Sequence, residues 1–324
     1  MLPKISIITP CFNASKYIEK TILSIINQDY SNLEYIIIDG GSNDGTVDII
    51  KKYESKIAYW ISEKDRGQSD AINKGLKIAT GTVFNWVNGD DYLADGSLKL
   101  VGNHFKNSDL DVLCTPTWLF NEKGNIRINE NTKANLSLFE LLNSTGLNQQ
   151  GMFWRLAKIQ ELNGVNSDFN FSMDLDLWKR YLINFGLSKV VIDETITGYF
   201  RLSDDSKTGS DFEANFHLFE RENNAALIQY AICLGREYIK PMSFLFSNFE
   251  NRLIQSAPIC ILNKEIIKKW INNLFYEKSK KFFYEENFRS AYFLLKYIDI
   301  NYIKVEDVKN FKSFKRWSQL KRFF

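Results

Sequence analysis

The feature that most constrains this chain is the alternation, over its first hundred residues, of short apolar runs with segments of helical periodicity. Ile5-Ser6-Ile7-Ile8-Thr9-Pro10 is almost wholly apolar and too short for a helix, the pattern of a strand covered on both faces. Pro10 is expected to end it. After a loop in which Asn13 or Ser15 can cap, Tyr17, Ile18, Thr21, Ile22, Ile25 and Ile26 recur at helical spacing. Residues 33–38 (Leu-Glu-Tyr-Ile-Ile-Ile) give a second buried strand, and 47–53 a second helix. A third strand at 59–62, a helix over 71–79 stopped by Thr80-Gly81, and a strand at 82–87 continue the pattern. Such an order implies parallel, right-handed crossovers and an α/β fold. A helix from Asp95-Gly96-Ser97 to about Phe105 and one strand over 112–120 follow, with 121–147 read as loops.

In open α/β sheets, ligands sit beyond the carboxyl ends of the strands. Thr9-Pro10, Asp39 and Asp90-Asp91 all fall at such ends. The last is the most informative: the run Phe84-Asn85-Trp86-Val87 breaks into Asn88-Gly89-Asp90-Asp91. Two carboxylates against an apolar layer need a partner, and a hard divalent cation bridging to phosphates is a natural one. The same four residues are also ordinary turn chemistry. A nicotinamide or flavin domain is disfavoured. The glycines stand at 40, 41 and 45 without a GxGxxG pattern, and the first strand–helix turn has none.

Composition is that of a globular protein, with 44% hydrophobic and 25% charged residues among 324. Charge divides unevenly: residues 211–324 carry 19 Lys and Arg against 13 Asp and Glu, a balance of +6. The remaining 22 basic and 26 acidic residues leave −4 for residues 1–210. Four scattered cysteines and two histidines argue against a zinc site. With no charged-then-apolar leader and no long uncharged apolar run, neither a signal peptide nor a spanning helix is expected. The expected location is the cytoplasm.

Four segments in register then carry a family resemblance: Ser6-Ile7-Ile8-Thr9-Pro10-Cys11-Phe12-Asn13, Ile38-Asp39-Gly40-Gly41-Ser42-Asn43-Asp44-Gly45-Thr46, Asp65-Arg66-Gly67-Gln68-Ser69-Asp70-Ala71-Ile72-Asn73-Lys74-Gly75, and Asn88-Gly89-Asp90-Asp91. Together they resemble the family 2 inverting glycosyltransferases over residues 4 to about 205. The resemblance implies the GT-A fold, a Rossmann-like nucleotide-binding sheet, here a catalytic domain at 1–211 followed by a helical region at 212–324. It implies a nucleotide-sugar donor, UDP-linked, a Mn²⁺ or Mg²⁺ ion, and a glycan or lipid-linked glycan acceptor. Thr9 and Pro10 would shape the nucleoside pocket, and Asp39 would accept from the uracil ring. Asp65, Arg66 and Gly67 would lie by base and diphosphate, with Asp70 and Asn73 pointing toward the donor. Asp90 would face the ribose and Asp91 the metal, although Asn88 and Gly89 depart from the three-residue acidic element of the family. Asp174 matches the base position, Asp176 being about 200° away around the helix. Gln150 matches an acceptor-side segment, with a plain strand-end amide as the alternative. Arg201 and Lys207 border a polar loop and could reach the diphosphate or stay solvated.

The rival readings are a sugar nucleotidyltransferase, a non-catalytic nucleotide- or glycan-binding scaffold, and a nucleic-acid binder. The first lacks a Gly-rich Arg/Lys loop after the first strand. Intact Asp39, Asp91 and Asp174 oppose the second, and the acidic first 210 residues oppose the third. Helical segments are expected at 216–234, 243–255, 264–276 and 280–297. The tail 309–324 holds six basic residues and no acid. It reads either as a helix lying in an anionic membrane interface, which would place the protein at the inner face of the membrane, or as a terminal helix packed on its neighbours.

Overall fold

Strand β1 (Ile5–Cys11) is buried along its whole length and sits near the middle of the main sheet. The computed structural model describes residues 2–106, 108–129, 137–144, 147–202, 212–246, 263–302 and 307–321. After β1 come α1 (Ile18–Ile26), β2 (Leu33–Asp39), α2 (Thr46–Lys52), β3 (Tyr59–Ser62), α3 (Gln68–Ile78) and β4 (Val83–Trp86). Next are β5 (Tyr92–Leu93), α4 (Ser97–Phe105), β6 (Val112–Cys114), β7 (Thr117–Asn121), β8 (Gly124–Asn129) and α5 (Leu138–Asn143). Then follow β9 (Met152–Arg155), α6 (Leu156–Glu161), α7 (Met173–Phe185), β10 (Val190–Ile192) and β11 (Gly198–Arg201).

The main sheet has the order β10-β6-β9-β4-β1-β2-β3. β1 pairs in parallel with β2 and β4, and β2 with β3, so the carboxyl ends of all four lie along one edge. Only β9 runs antiparallel, between β4 and β6. The period-2 pleat sends Ile5 and Ile7 to one face, where they join Ile18, Ile22 and Ile25 of α1 and Leu98, Val101 and Phe105 of α4. Each such buried side chain contributes about 1.5–3 kcal/mol. A second sheet, β5-β11-β7-β8, stands beside the first.

Two readings change here. β1 does not stop at Pro10 but continues through Cys11, because Pro10 opposite Ile38 fits the extended backbone and Cys11 C=O accepts from the Gly40 N–H. The single strand read over 112–120 is two. Thr115-Pro116 separates β6 in the main sheet from β7 in the second, where a proline cannot continue ladder donation. The segment read as loops also contains β8 and α5.

The chain falls into two units, Met1–Phe219 and Glu220–Phe324; α8 (Phe212–Leu234) starts at the boundary expected after 211 and runs across the observed one. Unit two continues with α9 (Ile239–Leu245), α10 (Lys264–Tyr284), α11 (Phe288–Leu295) and α12 (Val308–Lys321). α10 runs on past the expected break near 276, and the turn comes at Glu286, whose φ is +59°. Most of the helix expected at 243–255 lies outside the described residues.

At the edge opposite the carboxyl ends, Glu34 ties three segments together. Its carboxylate accepts from Lys4 Nζ (2.5 Å), Ser6 Oγ (2.6 Å), and the N–H and hydroxyl of Thr80 (2.7 and 2.6 Å). Burial pushes its pKa upward, but these donors win and pull it down to about 2. Glu34→Gln is expected to cost about 1–3 kcal/mol at pH 7. The folded value lies below the ordinary one, so this contribution is present above about pH 4.5 and lost as pH falls through about 2. Thermal melts of both forms at falling pH should therefore converge.

Candidate active site

The loops after β1 and β2 are sewn together. Asn13 N–H donates to Ser42 Oγ (2.7 Å), Asn43 N–H to Asn13 Oδ1 (3.1 Å), and Ser15 N–H to Asp44 Oδ2 (2.9 Å). Burial opposes ionisation of Asp44, yet the Thr46 and Ser15 hydrogen bonds hold its pKa well below the ordinary carboxylate value. Asp39 is fully buried; the N–H groups of Gly41 (3.1 Å) and Ser42 (2.9 Å) and the hydroxyls of Ser42 and Ser62 all donate to it. A base edge could reach this carboxylate only if a serine turned away. Thr9, expected at the nucleoside pocket, is also buried, its hydroxyl 3.1 Å from that of Tyr35, and Pro10 is buried in the strand. The exposed group at this strand end is Phe12, at 62%. Sequence reasoning missed it; a large aromatic directly after a strand's last buried residue was the available signal.

Between β4 and β5 the chain turns through Asn88–Asp91. Gly89 is required because a Cβ there would stand 2.9 Å from the Cβ of Cys11, so the turn rests directly on the end of β1. Asp91 is 1% exposed. Its Oδ1 accepts the Arg201 backbone N–H (2.8 Å), and its Oδ2 accepts the side-chain amides of Asn88 (2.9 Å) and Gln150 (2.5 Å). Burial, then the neighbouring charge of Asp90, push its pKa well above the usual range. Asp90 is half-buried, and burial raises it too, against its own backbone N–H and the charge of Arg201. The Arg201 guanidinium donates from Nε to the Asp90 carbonyl (3.2 Å) and lies 4.1 Å from the Tyr17 ring and 4.6 Å from Phe120.

Two expectations differ from this geometry. Asp91 was expected on a metal, but three donors already aim hydrogens at its two oxygens, which a cation would have to face. Gln150 was expected beside an acceptor, and its amide instead holds Asp91. Among the described residues no group of three or more His, Cys, Asp and Glu side chains could hold a metal ion. Asp90 alone, half-exposed and raised by burial, fits a hard cation whose other ligands would be phosphate and water oxygens.

A hydrogen-bonded path leads from this turn to α7. Gln68 Nε2 donates to Asn88 Oδ1 (2.6 Å), and Ser69 Oγ, the next residue of α3, donates to the Phe169 carbonyl (2.7 Å). The start of α7, with Asp174, is thus held against the start of α3. Asp174 is half-buried and accepts from the Leu175 N–H (2.8 Å). Asp176 is buried and ion-paired with Arg180 at 2.8 Å, whose other nitrogens donate to the carbonyls of Leu162 and Gly164. The 200° separation thus leaves Asp174 the accessible acid.

Around α3, Gly67 N–H donates to Asp65 Oδ1 (2.8 Å). Arg66 is 79% exposed and pairs with Asp70 at 3.1 Å. Burial pushes Asp70 up, but the Arg66 hydrogen bond and charge hold it below the ordinary value. Asn73, expected to point toward the donor, has its carboxamide engaged with the turn before α7. Its carboxamide accepts from the Val165 N–H (3.0 Å) and donates to the Val165 carbonyl (2.8 Å), pinning the turn where Gly164 adopts φ +74°. Lys207 lies outside the described residues.

A mixed sheet with an acidic turn at its carboxyl edge, joined to a smaller sheet, is the GT-A architecture. TarS of S. aureus in complex with UDP matches it with TM-score 0.55 at 17% identity, over 98% of this chain and 91% of that one. The mannosyltransferase PcManGT of Pyrobaculum calidifontis, in complex with GDP-Man and Mn²⁺, gives 0.51 at 14% identity, over 100% and 85%. Residues 6–177 match Glycosyl transferase family 2, and the chain belongs to that family. An uncharacterized glycosyltransferase of Rickettsia typhi is 29% identical over 223 residues, covering 64% of this chain and 67% of its own. The chondroitin synthase of Escherichia coli is 28% identical over 185 residues, covering 55% and 26%. The cholesterol galactosyltransferase of Borreliella burgdorferi is 31% identical over 119 residues, covering 36% and 33%. The matched segments span between 26% and 67% of these relatives.

The two acids of α7 separate experimentally. Arg180→Met should cost about 3–5 kcal/mol by breaking the buried ion pair with Asp176. Asp174→Asn should stay within about 1 kcal/mol of the parent in chemical denaturation.

Proposed function

We propose that this protein is a metal-dependent inverting glycosyltransferase that moves a sugar from a UDP-linked donor to a hydroxyl of a glycan or lipid-linked glycan. The observation that carries this reading is the path Asp91–Asn88–Gln68–Ser69, which ties the acidic turn to the Phe169 carbonyl, four residues before the helix that carries Asp174. The Phe12 ring, exposed beside the buried Asp39 loop, offers a flat apolar surface to a nucleobase. Asp90 would hold a divalent cation, which when bound neutralises the charge gathering on the departing diphosphate. Arg201, fixed between Tyr17 and Phe120, keeps a cation beside the same turn.

Asp174 takes the proton of the acceptor hydroxyl as that oxygen attacks the anomeric carbon. The bond from that carbon to the phosphate oxygen breaks in the same step, and the electron pair leaves with the nucleoside diphosphate. One displacement turns an α-linked donor into a β-linked product. Binding of UDP to TarS and of GDP-Man with Mn²⁺ to PcManGT supports a nucleotide-sugar donor for the fold.

Thermal melts with UDP, GDP, CMP and dTDP, each with and without Mn²⁺, test the reading through binding linkage. UDP with Mn²⁺ should give the largest rise in Tm. Asp90→Asn should abolish the Mn²⁺-dependent part, and Asp91→Asn should lower the Tm of the unliganded protein. Asp174→Asn should keep the UDP response while transfer falls by about 10²–10⁴-fold. No response to any nucleotide would reject the proposal.

A further inference from the structure

The basic tail does not use its apolar residues as an amphipathic surface helix would. In α12, Phe311 is buried against Tyr276 (ring centroids 6.2 Å), and Phe314 packs on Phe283 (4.9 Å) and Tyr284 (5.9 Å). The apolar side of the helix is thus covered within its own unit. What it leaves outward is cationic. Lys309, Lys312 and Arg316 are exposed and fall within about 60° of arc at 100° per residue. Trp317 falls about 80° beyond Lys309, on the side toward Phe314, and is 53% exposed. Tyr284, at the end of α10 and touching Phe314, is 73% exposed. A stripe of cations thus borders a patch formed by Trp317, Phe314 and Tyr284. Just past the end of α10, Glu285 lies 3.7 Å from Lys281 and Glu286 is exposed.

We propose that this surface docks the second unit on an anionic lipid bilayer. Cations within a Debye length of such a surface are drawn to it, and tryptophan and tyrosine settle at the boundary between headgroups and acyl chains. The charge asymmetry of the chain agrees: +6 for residues 211–324 against −4 for the rest. Docking would be peripheral, since among the described residues no helix is long and apolar enough to cross a membrane. A catalytic unit brought to such a surface would meet acceptors carried on lipid.

The test is co-sedimentation of the full chain with vesicles of phosphatidylcholine alone or mixed with phosphatidylglycerol, in about 0.1 M salt. Neither donor nor metal is present, so the outcome is independent of the transferase reading. Binding should require the anionic lipid and vanish in about 1 M salt. Lys309→Gln, Lys312→Gln and Arg316→Gln combined should weaken it on the order of a hundredfold, and Trp317→Ala or Tyr284→Ala several-fold. Lys52→Gln, on α2 of the first unit, should change nothing. All these positions are exposed, and circular dichroism with thermal melts checks that each variant folds; Lys312→Glu alone is the fallback. Absent binding, equal binding to both vesicle types, or binding that survives the triple change overturns the proposal. So does loss, in the triple variant, of retention on an oligonucleotide with no vesicle binding in the parent, which would make the stripe a nucleic-acid surface.

Discussion

The buried carboxylate of Asp91 is the interaction on which the rest of the site depends. Its donors come from three places: Asn88 in its own turn, Gln150 just before β9, and the backbone of Arg201 at the end of β11. Its own backbone carbonyl accepts from Thr21 of α1 at 2.7 Å. One residue therefore joins the edge of the main sheet to the second sheet and to the first helix. A buried acid is costly unless satisfied, and here satisfaction is also what fixes the geometry. Asp90 can remain half-exposed because its neighbour is held from all sides.

The same logic organises the remaining edge. Asp39 and Asp44 spend their oxygens on loop backbone and on serine and threonine hydroxyls, which shapes a rim without cations. Asp70 has Arg66 and Lys74 within reach, and Asp176 has Arg180. The buried acids thus build the rim, whereas Asp90 and Asp174 keep part of their surface exposed.

Much of the first unit is legible in the sequence because apolar runs of six or seven residues between amphipathic helices leave few alternatives. The positions of Asp39 and Asp90-Asp91 at strand ends follow from that pattern alone. The roles within the acidic pair do not. Two of the three residues that satisfy Asp91 lie 59 and 110 positions away, and no local pattern announces which of two adjacent carboxylates a distant amide will take. The bonds of Asn73 were hidden for a similar reason: the Val165 turn it pins is 92 residues off. The passage from β6 to β7 was hidden because Val112 to Phe120 is mostly apolar, with Thr115-Pro116-Thr117 the mark of a change of sheet. The tail's six cations and spaced aromatics were readable, whereas which side of the helix is covered depends on α10.

The Arg201 bond to Asp91 also sets an order of events in synthesis. Chains emerge from the ribosome at roughly 5–20 residues per second, so several seconds separate the acidic turn from its last partner. During that interval β1 to β4 can assemble, yet one oxygen of Asp91 waits for a strand that does not exist. Residues 6–177, the stretch that matches the family, supply every strand of the main sheet but β10 and leave this carboxylate one donor short. The acidic turn is therefore among the last parts of the first unit to be fully satisfied.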